Sequence, residues 1–122
     1  MVADFKELEV WKKAMALTIE TYRVTAMLPH TERYGLSDQM RRAAVSIPSN
    51  IAEGHSRNSN KEFLRFLSIA QGSKAELETQ VLLTQQLGML SSEQIEKLGA
   101  LYREVGSMLH TIMRMIESGT WK

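Results

Sequence analysis

Apolar residues recur from Val10 to Leu28 at alternating steps of four and three, through Val10, Ala14, Leu17, Val24 and Leu28, with Thr21 in the remaining slot. That spacing is the period of one helix face, and Trp11, Met15 and Tyr22 widen the stripe on one side. Pro29 lacks an amide donor and pushes its predecessor out of helical dihedrals, so the first helix is expected over residues 7 to 28. A second stripe follows through Leu36, Met40, Ala43, Ile47 and Ile51. Pro48 falls inside it, deprives the Ala44 carbonyl of its helical amide, and predicts a kink or a division near Ile47. Ala43, Ala44, Ser46 and Ser49 are small enough to admit a neighbouring helix, and Gly54 suggests the C-terminal cap.

The third stripe is Phe63, Phe66, Leu67, Ala70, Leu77 and Val81. Ser59 and Glu62 have the spacing of a capping box at its start, and Gly88 marks its end. Gly72 lies in its interior, where glycine costs about 1 kcal/mol relative to alanine, so a close helix crossing is expected there. Ser91 and Gln94 form a second capping box ahead of Ile95, Leu98, Tyr102, Val105, Leu109, Ile112 and Ile116, and Gly119 closes that segment. Leu101, Met108 and Met115 add a second apolar line, wider than a two-stranded seam needs. Four such helices with short connections predict a single all-α domain over residues 1–122, an antiparallel up-down-up-down four-helix bundle. The width of the stripes on helices 1 and 4 further predicts a homo-oligomer.

Composition narrows the chemistry. The chain has no cysteine, which removes disulfides, thiolate metal sites and cysteine nucleophiles. Its first residues, Met1 to Leu8, carry Asp4 and Glu7 and no apolar run, and no stretch has the length of a membrane span. A cytoplasmic location is the expectation. Bundles that hold two iron ions need paired Glu-x-x-His motifs; His30, His55 and His110 each lack an acidic residue three positions before them, so solvated or structural roles are expected. No serine stands in a Gly-x-Ser-x-Gly or Ser-x-x-Lys frame, and the glycines form no phosphate loop. The expectation is a non-enzymatic protein with no catalytic residue, cofactor or metal.

Net charge is only +1, yet unevenly spread: four basic residues oppose five acidic ones up to Glu32, seven oppose three from Arg33 to Lys74, and four oppose six thereafter. Within the basic segment Arg42, Ser46, Ser49 and Glu53 form a polar stripe at steps of four, three and four, with Asn50 beside it. Three readings stay open. Arg42 and Glu53 could pair with Ser73, Glu76 or Glu78 of helix 3 and set register; the surface, extended by Arg41, Arg57, Lys61 and Arg65, could meet a phosphate backbone; or it is a solvated face. Phe63 and Phe66 read as core, and Trp11 and Tyr22 as core or interface, rather than as a base-stacking platform.

Three stretches carry a resemblance: Phe5-Lys-Glu-Leu-Glu-Val-Trp11, the run Tyr34-Gly-Leu-Ser-Asp-Gln-Met-Arg-Arg-Ala-Ala-Val-Ser-Ile-Pro-Ser-Asn-Ile-Ala-Glu-Gly54, and Phe63-Leu-Arg-Phe-Leu-Ser-Ile-Ala-Gln-Gly-Ser73 with Glu76-Leu-Glu78. Together they resemble the bacterial four-helix-bundle family of 23S rRNA intervening-sequence proteins over almost the whole chain. The resemblance implies a ring of five bundles and kinship with accessory proteins of diversity-generating retroelements, which are strongly basic and associate with a reverse transcriptase and nucleic acid. A net charge of +1 departs from that pattern. Arg42, Ser46, Asn50, Ala52, Glu53 and Gly54 match the family motif as a set, with a structural or a functional role equally implied. RNA or a nucleic-acid-processing protein is the partner the resemblance suggests; a protein-interaction scaffold without nucleic-acid contact is the alternative.

Overall fold

The computed structural model describes residues 4–121, so the reading of Met1 to Ala3 as free of a signal lies outside the described residues. Four helices account for most of the chain: α1 (Glu9–Thr25), α2 (Leu36–Ser56), α3 (Asn60–Gln86) and α4 (Ser92–Glu117). Side-chain links give their directions. Thr18 reaches Ala44 and Ser37 reaches Thr25, so α2 runs back along α1. Ser46 meets Ser73 and Gly54 packs against Phe66, so α3 reverses α2; Lys13 and Glu20 meet Glu104 and Lys97, so α4 runs against α1 and hence against α3, where Gln71 meets Gly106. No Cα pair across either diagonal, α1–α3 or α2–α4, comes within 8 Å among the described residues. The bundle is therefore up-down-up-down, as its stripes predict.

The predicted stripes form the core. Leu17, Met40, Ile47, Ile51, Leu67, Leu77, Leu98 and Leu109 are fully buried, each contributing about 1.5–3 kcal/mol by removal of apolar surface from water. Leu101, Met108, Met113 and Ile116 of α4 are half-buried and pack against that core. The outward positions of α4 from Glu93 to Glu117 are charged or polar apart from Ala100, so its broad stripe is spent inside the bundle.

Several boundaries differ from expectation. Helix α1 begins two residues late, because Phe5–Glu7 winds as a 3-10 turn capped by Asp4, and it ends at Thr25 in a tightened turn rather than at Leu28. Helix α2 is not divided: it runs unbroken through Pro48 to Ser56. Gly54 is no cap but an interior residue of α2, and the left-handed residue after that helix is Asn58, at φ 56. A Cβ on Gly54 would stand 2.5 Å from Phe66 Cβ, so this glycine permits the closest approach of α2 and α3. Gly72, where a crossing is expected, meets nothing within 4 Å and is exposed.

Helix ends follow local chemistry. Gly88 and Gly119 adopt positive φ at the ends of α3 and α4, and the amide following each reaches back to Thr84 and Met115 respectively, the pattern of a Schellman cap. The box at Ser91 and Gln94 is reciprocal. The one at Ser59 is half-formed: Ser59 accepts the Glu62 amide, while the Glu62 carboxylate turns to Arg65 at 3.1 Å.

Candidate functional site

The motif residues of α2 divide into two groups according to which way the helix turns them. Ser46 and Asn50 face α3. The Ser46 hydroxyl lies 2.8 Å from that of Ser73, and Asn50 Nδ2 donates to both the carbonyl and the hydroxyl of Ser46, at 2.7 and 2.9 Å. Ser73 is buried, so the link joins a buried hydroxyl of α3 to a half-buried one of α2. Together with Gly54 under Phe66 it sets the spacing and register of the α2–α3 seam.

Arg42 and Glu53 do not join this seam. Arg42 pairs with Asp38 at 3.0 Å and Glu53 with Arg57 at 2.8 Å, each one turn away on the same exposed face. The expected bonds to Ser73, Glu76 or Glu78 are absent, because Glu78 is held by Lys74 at 3.3 Å and Ser73 by Ser46. Ser49 is exposed.

Of the four cations expected to extend the surface, the structure brings three together. Arg57 ends α2, and Lys61 and Arg65 lie on the first turns of α3. The guanidinium carbons of Arg57 and Arg65 stand 5.1 and 4.6 Å from the ring centre of Phe66. Each arginine also has a carboxylate, Glu53 or Glu62, and Lys61 is exposed with no ion pair among the described residues. The Glu62 carboxyl is held below its usual range chiefly by the hydrogen bond from Arg65. Arg41 sits apart, sixteen residues or about 24 Å of helix from Arg57. Its guanidinium lies 4.6 Å from the Tyr22 ring and donates to Thr25 Oγ1 at 2.8 Å.

Exposed apolar side chains complete the surface: Met15 and Tyr22, which widen the first stripe, and others that lie off the core ladders. On α1, every exposed residue between Lys12 and Arg23 is uncharged: Met15, Ala16, Ile19 and Tyr22, with Ile19 56% and Tyr22 44% exposed. Val45 of α2 is exposed as well. On α3, the exposed residues between Arg65 and Leu87 include Ile69, Leu82 and Leu83, and Glu76 is their one charge. Position was the available signal, since these residues fall off the core ladders and are apolar nonetheless. Trp11 is half-buried against Phe5, and Phe63 is core, edge-on to His55 and near Trp121. Among the described residues no group of three or more metal-binding side chains comes together, and none of the described helices is long and apolar enough to cross a membrane.

These features define a class: an antiparallel four-helix bundle with a polar-locked α2–α3 seam, an uncharged outer face on α1, and an outer face on α3 whose one exposed charge between Arg65 and Leu87 is Glu76. The chain belongs to the 23S rRNA-intervening sequence protein family, whose model matches residues 6–111. In fold it is similar to a crystal structure of a protein of unknown function from the S23 ribosomal protein family of Bacteroides thetaiotaomicron. That likeness has a TM-score of 0.80 at 24% identity and covers 85% of this chain and 97% of the other. Among curated proteins, none matches the chain.

Proposed function

We propose that this chain is a non-enzymatic bundle that works by self-assembly, presenting the assembled surface to a larger partner in the cytoplasm. The uncharged face of α1 carries the reading. A helix facing water normally shows charged and polar residues outward, whereas α1 shows Met15, Ala16, Ile19 and Tyr22 over about two turns. Contiguous exposed apolar surface of this kind marks an interaction site. Five copies is the number the family resemblance implies.

A second reading, contact with RNA or with a protein that handles it, is favoured by Arg57, Lys61 and Arg65 at one end of the bundle. Two guanidinium groups on the Phe66 ring and a lysine without an ion pair among the described residues offer up to three phosphate contacts. Glu53 and Glu62 compete for the arginines, so binding is expected to be weak and to need low salt. The family's name points to 23S ribosomal RNA as the first probe.

Light scattering after size exclusion, with and without ribosomal RNA fragments at low and moderate salt, tests both. The expected result is an oligomer that persists at moderate salt, since apolar burial is not screened. A monodisperse monomer at tens of micromolar would sink the first reading. RNA uptake that falls with salt at a log–log slope of roughly −0.9 per phosphate, and is lost in Arg57→Glu with Arg65→Glu, would establish the second.

A further inference from the structure

We infer that the α1 face of one copy docks on the α3 face of a second copy, a head-to-tail contact in which Arg41 meets the neighbour's Glu76. The inference rests on the self-assembly reading and says which surfaces meet. Helices α1 and α3 occupy diagonal corners of the bundle, so their outer faces point away from one another and a single copy can engage two neighbours.

The two faces match in height, in texture and in charge. Thr18 is level with Ala44, and Ser46 with Ser73; Ala44 and Ser46 are two residues, about 3 Å, apart along the helix. The α1 patch around Ile19 therefore lies at the height of Gly72 to Glu76. Gly72 has no neighbour within 4 Å of a Cβ, and Ala75 beside it is exposed. A glycine that weakens the helix interior without serving any contact inside the chain is explained when a helix of another copy approaches there. Ile69 lies about one turn before this gap, toward the Met15 end of the α1 patch, and Leu82 and Leu83 lie about two turns beyond Glu76, toward its Tyr22 end, where they extend the apolar surface.

Charge favours α1-to-α3 over α1-to-α1. Glu76, the one charge on the exposed α3 face beyond Arg65, has no ion pair among the described residues. Arg41 borders the α1 face over Tyr22 and has hydrogen bonds to Thr25 and Tyr22 but no carboxylate among the described residues. By the antiparallel register of α2 and α3, Arg41 and Glu76 lie within a turn of the same height. Two α1 faces brought together would gather both Arg41 cations at one seam, a like-charge arrangement that costs affinity, while the carboxylates bordering α1, Glu9 and Glu104, are already paired with Lys12 and Lys13. Because the surfaces differ, the contact is heterologous and propagates until it closes on itself.

The test uses the full chain, with circular dichroism confirming that each variant stays helical. Ile19→Glu disables the α1 face and Leu83→Glu the α3 face; each alone is expected to give monomers, with Kd raised on the order of tenfold or more. Mixed together, they retain one intact surface each and are expected to form a one-to-one pair that goes no further. Arg41→Glu and Glu76→Arg should each weaken assembly, and the combined variant should restore it. A wild-type monomer removes the self-assembly reading and this inference with it. A wild-type oligomer that survives Leu83→Glu, or a mixture of the two variants that stays monomeric, overturns the α1–α3 pairing alone and leaves self-assembly standing.

Discussion

The hydroxyl of Thr18 on α1 lies 3.0 Å from the carbonyl oxygen of Ala44, the acceptor that Pro48 strips of its helical amide on α2. A proline in a helix interior removes one hydrogen bond and crowds that same carbonyl. Here the orphaned carbonyl is buried in the α1–α2 seam, where leaving it unpaired would cost about 1–3 kcal/mol. The threonine supplies the donor, while also lying 2.9 Å from the Ala14 carbonyl of its own helix. This is the physical reason that α2 passes through Pro48 without dividing.

Replacing the donor should therefore matter only while the proline is present. Thr18→Val is expected to destabilise the fold by about 1–3 kcal/mol, read from the urea midpoint. In a Pro48→Ala background the restored amide serves Ala44, and the same change should cost markedly less. Additive effects across this cycle would show that the two residues are not coupled.

The interior glycines of α2 and α3 should respond in opposite ways. Gly54→Ala places a Cβ 2.5 Å from Phe66 Cβ and 3.1 Å from Phe63 Cδ1, which forces α2 and α3 apart at an expected cost of about 1–3 kcal/mol. Gly72→Ala meets nothing within 4 Å and should raise the stability of the unassembled chain by up to about 1 kcal/mol. Chemical denaturation of the two variants at high dilution decides it, and equal effects would contradict the packing described here.

The Ser46–Ser73 link predicts a coupled pair. Ser46→Ala leaves the buried Ser73 hydroxyl and Asn50 without their shared partner, at a cost of about 1 kcal/mol. Ser46→Ala with Ser73→Ala together should cost little more than Ser46→Ala alone, since the second change removes the group left unpaired. Full additivity in denaturant melts would rule the link out as a stabilising contact.

Tyr102 predicts an alkaline limit. Burial, with the nearby Glu78 charge adding to it, raises the Tyr102 phenol above its ordinary value. The folded chain thus holds a proton that the unfolded chain releases at roughly pH 10. Stability should be intact below that pH and decline as pH rises through the folded pKa. Tyr102→Phe should flatten this decline; an unchanged alkaline slope would assign it to other groups.

Much of the fold was legible because helical burial leaves a period in the chain. Val10, Ala14, Leu17 and Val24 are buried as their spacing predicts, as are Leu98, Tyr102, Val105 and Leu109. Gly54 was misread as a cap although it continues the ladder of Ile47 and Ile51, three residues on, which places it toward a neighbour. Gly72 falls between Ala70 and Ser73 on its own ladder and so points outward. Phase against the core tells the two apart; identity does not.

The candidate site was less legible. Arg41, Arg57, Lys61 and Arg65 are equivalent cations in the sequence, yet Arg41 folds onto Tyr22 of α1 while Arg57 and Arg65 share the Phe66 ring of α3. Arg42 and Glu53 take the carboxylate and the guanidinium one turn away, because an i,i+4 partner is already in place when the helix forms.

Four amphipathic helices, their antiparallel order, and the serine and glycine ends of α3 and α4 were already present in the chain, since each follows from local period, capping chemistry and short connections. Packing in three dimensions was needed to show which polar groups lock α2 to α3, how Pro48 is accommodated, and which apolar residues of α1 and α3 remain outside. Those outcomes depend on the rotation of each helix against its neighbours, and that rotation is settled by side chains meeting across seams, between residues far apart in the chain.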